Sequence, residues 1–70
     1  MHPSFDILRT GKKYVLKNYG DIYEFEVMDV GSDGDFRLKD IHTLEYYQLN
    51  DIIRYGKGKD FDLEEMENDG

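Results

Sequence analysis

Side chains able to act as nucleophiles or general bases are few in this 70-residue chain. It holds two histidines, His2 and His42, two serines, Ser4 and Ser32, and no cysteine. A nucleophile, its base and the group that orients them must all be fixed by the fold. Neither serine stands in a strand-to-helix elbow. Ser32 and His42 fall in consecutive turns between extended segments, which puts them at opposite ends of a sheet. Paired carboxylates are plentiful, but Glu24 and Glu26 alternate with apolar residues and so lie on the solvated face of a strand. No catalytic set follows, and the chain reads as a binding protein, not an enzyme.

Metal and phosphate chemistry are no better supported. Two histidines without a cysteine give no zinc spacing. Residues 29–40 place Asp29, Asp33, Gly34 and Asp40 at positions one, five, six and twelve of a calcium loop. Gly31 takes position three, however, and the flanks are strands, not helices. That run reads as a hairpin turn with acidic shoulders. Gly56-Lys57-Gly58-Lys59 lacks the upstream glycine and the following Ser or Thr of a phosphate loop, and it precedes a strand. It reads as a mobile link kept soluble by lysine. No metal and no cofactor are expected.

Aromatic rings are the remaining binding chemistry. Six Tyr and four Phe supply much of the apolar bulk. Assigning Tyr14, Leu16, Tyr23, Phe25, Val27, Phe36, Leu38, Leu44, Ile53 and Phe61 to a core leaves Tyr19, Tyr47 and Tyr55 as candidate exposed rings. Beside acids such rings cradle a cation, and beside bases they stack on nucleobases.

The elements that must position these residues are short strands. Residues 12–19, 22–30, 35–39, 43–49 and 61–63 carry strand signals separated by Gly and Asp/Asn turns. Residues 22–30 are the clearest, with Tyr23, Phe25 and Val27 on one face and Glu24 and Glu26 on the other. In residues 43–49 the face is ambiguous, since Leu44 and Tyr46 share one side and Tyr47 and Leu49 the other. Residues 50–56 fit one helical turn, with Asn50 as N-cap and Gly56 in the left-handed position after it.

This order resembles the SH3-like barrels, in which a one-turn helix separates the fourth strand from the fifth. The resemblance is topological and covers residues 12–66. The short turn at residues 18–21 brings it nearer to Tudor-like and KOW-like barrels than to SH3 domains, whose Ala-Leu-Tyr-Asp-Tyr-like run is absent. No residue-level motif matches, so no family site residue transfers. The expected architecture is an all-β, five-stranded SH3-like barrel with a one-turn helix before the last strand. Residues 1–11 form an N-terminal plug and residues 67–70 an acidic frayed tail.

Charge frames the partner. The net charge is −7, distributed as +3 over residues 1–19, −7 over 20–53, +3 over 54–59 and −6 over 60–70. The leading expectation is a protein-interaction module that binds a basic peptide or protein surface through Tyr19, Tyr47, Tyr55, Glu24 and Glu26. The alternative is nucleic-acid binding, which the resemblance to KOW-like and Tudor-like barrels implies. It would use Lys12, Lys13 and Lys17 converging with Arg54, Lys57 and Lys59, against the opposing net charge. The missing cysteines fit a reducing, cytoplasmic setting, and no apolar run approaches the roughly 20 residues that span a bilayer.

Overall fold

A computed structural model describes residues 8–66 of the chain. The plug expected over residues 1–11 falls mostly outside the described residues, as does the tail at 67–70. Five strands and one short helix follow in order: β1 (Lys13–Asn18), β2 (Asp21–Val30), β3 (Phe36–Asp40), β4 (Tyr46–Gln48), α1 (Leu49–Ile52) and β5 (Asp62–Glu65). They form one antiparallel sheet in the order β4-β3-β2-β1-β5. The sheet is not closed: β4 and β5 are its edges. No helix among the described residues is long and apolar enough to cross a membrane.

Alternation drives the pattern. Tyr14 and Leu16 on β1, Phe25 and Val27 on β2, and Leu38 on β3 are fully buried, joined by Leu8 and Leu49. Their neighbours Lys13, Lys17, Glu26 and Arg37 point the other way, as the period of two demands. β2 is the spine. It pairs with β1 through residues 21–26 and with β3 through residues 25–30, and a register shift between Val27 and Asp29 bends it midway.

The first hairpin closes through Tyr19 and Gly20, with φ of 52° and 80°. Two consecutive positive φ values match a type I′ turn, the twist that suits a two-residue hairpin loop. Gly20 tolerates this freely. Tyr19 does not, since a Cβ in the left-handed region costs about 1–2 kcal/mol.

The fourth strand departs from expectation. The Asp40 carboxylate accepts the backbone N–H groups of His42 and Thr43 at 2.8 and 3.0 Å. The Leu44 N–H then donates to the Asp40 carbonyl at 2.9 Å. This turn consumes residues expected in the strand and drives Leu44 to a φ of 66°. Leu44 is therefore 61% exposed, not a core residue. β4 begins only at Tyr46, and its ambiguous parity resolves with Tyr47 opposite Leu38 and inward, and Leu49 buried.

Asn50 is not the helix cap. Gln48 holds that place, and its N–H donates to the Asp51 carboxylate at 3.1 Å. The Asn50 N–H donates to buried Asp35 at 3.2 Å, tying the helix to the β2–β3 turn. Gly56 does take the left-handed conformation, with φ of 86°. β5 starts one residue later and runs further than residues 61–63, because pairing with β1 continues to Glu65.

Candidate functional site

The first hairpin turn is clasped to the segment before β5. Asn18, 2% exposed, accepts the Gly58 N–H at 2.7 Å and donates to the Gly56 carbonyl at 3.0 Å. The Asp60 carboxylate accepts the N–H groups of Tyr19 and Gly20, each at 2.8 Å. These bonds favour its ionised form and hold its pKa below the ordinary carboxylate value. The Tyr19 hydroxyl donates to the Tyr55 carbonyl at 2.8 Å. The strained φ of Tyr19 is thus compensated at both ends of the residue. Gly58 lies so close that a Cβ there would stand 3.0 Å from the Tyr19 ring. The 56–59 run, expected as a mobile link, is pinned at its centre.

The clasp opens a groove of about 550 Å³. One wall is the turn and the start of β2, with Tyr19, Asp21 and Tyr23; the other is α1 and the turn after it, with Asp51, Arg54 and Tyr55. Tyr19 is 57% and Tyr55 79% exposed. The pKa of Tyr23 is raised by burial, and nearby Asp21 adds to the shift. Arg54 is the one cation among the lining residues. Its guanidinium carbon lies 5.8 Å from the Tyr55 ring centre, and its Nη2 lies 3.9 Å from Asp51 Oδ1. Flat rings beside carboxylates form a surface on which a cation is attracted by the ring face and by charge together.

Of the five residues expected to bind a basic partner, the structure brings Tyr19 and Tyr55 together and leaves the others elsewhere. Tyr47 is not an exposed ring. It is half-buried, packs edge-on against Tyr23 at 6.2 Å, and donates its hydroxyl to Asp40 at 3.0 Å. Burial, reinforced by Asp40, pushes its pKa well up. Glu24 is contacted by the His42 ring, which raises the His42 pKa by favouring the imidazolium. Glu26 stands between Lys13 and Lys39 on the outer face of the sheet.

The basic residues divide between two ends. Lys12 lies 3.8 Å from Glu65, and Lys13 sits across from Glu26. Lys17, at the opposite end of β1, stands across from Asp62 and adds to the stabilisation of the Asp60 carboxylate. Arg54 lines the groove, Lys57 Nζ rests 4.8 Å from the Phe61 ring centre, and Lys59 is exposed. Of the lysines at residues 12–17, Lys17 is the one at the Asp60 end of the sheet. Among the described residues no three His, Cys, Asp or Glu side chains are grouped to hold a metal ion.

Sequence reasoning did not single out Asp21, Asp51 or Tyr23 as parts of a site. Asp51 had a legible signal, three residues after Gln48 at the helix start. Asp21 and Tyr23 had none, because their partner wall comes from 30 residues further along the chain. The chain matches no protein-family model, no curated protein and no solved structure.

Proposed function

We propose that this chain is a small, non-catalytic protein-interaction module whose groove receives a basic side chain from an extended peptide partner. The observation that carries the reading is the convergence of Tyr19 and Tyr55 with Asp21 and Asp51 around one concavity. A volume of about 550 Å³ is within the roughly 300–1,000 Å³ of small-ligand pockets. The net charge of −7 steers cationic partners toward the surface at long range. An SH3-like barrel is the architecture we propose for the module. The strand order, the short helix between β4 and β5, and the bent β2 shared by both halves of the sheet support it.

Amide NMR on the labelled chain, titrated with an octapeptide of alternating glycine and arginine, tests the reading. Shifts should concentrate at residues 18–23 and 51–56, weaken as salt is raised because exposed charges are screened, and vanish in Tyr55→Ala. Peptide shifts spread evenly over the acidic surface, with Tyr55→Ala unaffected, sink the groove reading. A parallel titration with decathymidine that moves residues 12–17 and 57–59 instead selects nucleic-acid binding through Lys12, Lys13, Lys17, Arg54, Lys57 and Lys59.

A further inference from the structure

We infer that Arg54 is a built-in competitor on the groove wall, a displaceable stand-in for an arginine side chain supplied by the partner. This rests on the groove reading above and specifies both the ligand group and what competes with it.

The walls of the site are held by the backbone. Asp51 is fixed at the helix start because its Oδ2 accepts the Gln48 N–H at 3.1 Å, which leaves Oδ1 as the oxygen nearest Arg54. The Tyr55 backbone is fixed from two directions. Its carbonyl accepts the Tyr19 hydroxyl at 2.8 Å, and the turn around it closes through the Gly56 N–H on the Ile53 carbonyl at 2.8 Å.

Arg54 itself is held loosely. At 3.9 Å its Nη2 is beyond hydrogen-bonding distance of Asp51, and 5.8 Å is near the outer limit, about 6 Å, for a cation over a ring. Its side chain is 59% exposed. The same fold shows a guanidinium bound tightly. Arg37 donates from Nε and Nη2 to Asp29 at 3.0 and 2.8 Å and lies 4.9 Å from the Tyr46 ring centre. Arg54 meets the same two partner types only at longer distances and without a hydrogen bond.

A guanidinium from outside the chain is free of that tether. It can lie flat on Tyr55 and place its fork of donors against Asp51, with Asp21 on the facing wall of the groove. Arg54 must then swing into solvent, and it gives up little by doing so. Its positive charge beside an incoming cation opposes binding until it leaves, so it sets a threshold for weakly basic peptides.

The test compares affinities of the intact chain, Arg54→Gln and Lys59→Gln for the same glycine–arginine octapeptide, read from groove amide shifts. Lys59→Gln removes an equal charge from the same stretch of chain but not from the groove. Arg54→Gln should bind about 3- to 10-fold tighter, while Lys59→Gln changes affinity less than about 2-fold, tenfold corresponding to about 1.4 kcal/mol. Equal gains in both variants assign the effect to overall charge and overturn the inference. Weaker binding in Arg54→Gln also overturns it, because Arg54 would then contact the peptide. Groove shifts with unaltered affinity leave the groove reading standing and remove only the stand-in. An absence of groove shifts in all three proteins removes both.

Discussion

Two arginines in this chain each meet one aspartate and one tyrosine ring, and they are held very differently. Arg37 reaches Asp29 at 2.8 Å and lies 4.9 Å from Tyr46; Arg54 stops 3.9 Å from Asp51 and 5.8 Å from Tyr55. The residue types are identical, so chemistry alone does not separate them. Backbone geometry does. Asp29 and Arg37 are direct partners across the β2–β3 ladder, where facing side chains stand about 5 Å apart at Cβ. Asp51 and Arg54 stand three positions apart across the end of a four-residue helix. Strand pairing brings donor and acceptor face to face. A helix that stops one turn too early leaves them short of contact and leaves a groove open beside them.

The largest expected effect comes from undermining one region without touching the other. Replacing Asn18 with Leu strands the Gly58 N–H and the Gly56 carbonyl in a part-buried setting. An orphaned buried group costs about 1–3 kcal/mol, so the variant should lose about 2–4 kcal/mol in urea unfolding. Tyr55 ring resonances should move while those of Tyr46 stay. A loss below about 0.5 kcal/mol would show that the clasp is not what holds the groove, since removing a satisfied buried partner normally exceeds that.

Acid acts on both ends of the molecule, and alkali on only one. His42 has its pKa raised above the ordinary 6.5 by Glu24. Its contribution to stability is present below that value and is lost as pH climbs through the raised one. Asp60, at the groove, has its pKa lowered from 3.8 by the Gly20 and Tyr19 N–H groups. Its contribution is present above 3.8 and disappears as pH falls through the depressed value. Asp40 follows the same sign, through its bonds from Thr43 and His42. Hydrogen exchange against pH should therefore show the Tyr19 and Gly20 amides losing protection on the acid side. Loosening of the β3–β4 turn on the alkaline side should be absent in His42→Gln. Simultaneous loss at both ends on the alkaline side contradicts the assignment.

The smallest effect is the most direct comparison. Arg37→Gln removes two short hydrogen bonds and a ring contact, and its urea midpoint should fall. Arg54→Gln removes only long contacts and should unfold with the parent chain. If Arg54→Gln is the more destabilised of the two, the arginine is structural and the loose geometry misleads.

Much of the strand content was legible because alternation is a local property. Tyr14 and Leu16, Phe25 and Val27, and Phe36 and Leu38 each declare a face within five residues, and Gly20, Gly34 and Gly56 mark turns that require positive φ. The fourth strand starts later than its alternation suggests because a side chain overrides the pattern. Asp40 captured the backbone of His42 and Thr43, and Leu44 left the core although its spacing suited it. Tyr47, expected as an exposed ring, turns inward for the same reason, since the register set by that turn decides which of two adjacent tyrosines faces the core.

The site divides along the same line. The sequence by itself determined the supply of rings and carboxylates, the acidic excess, the poverty of nucleophiles and the exposure of Tyr19 and Tyr55. Those follow from residue types and from periods of two. Only the tertiary structure decided that residue 19 meets residues 55–60, that Asp21 and Asp51 share one groove, and that the lysines of β1 part toward opposite ends. Such pairings depend on contacts 30 to 40 residues apart, whose geometry is set when the buried faces of all five strands are satisfied together.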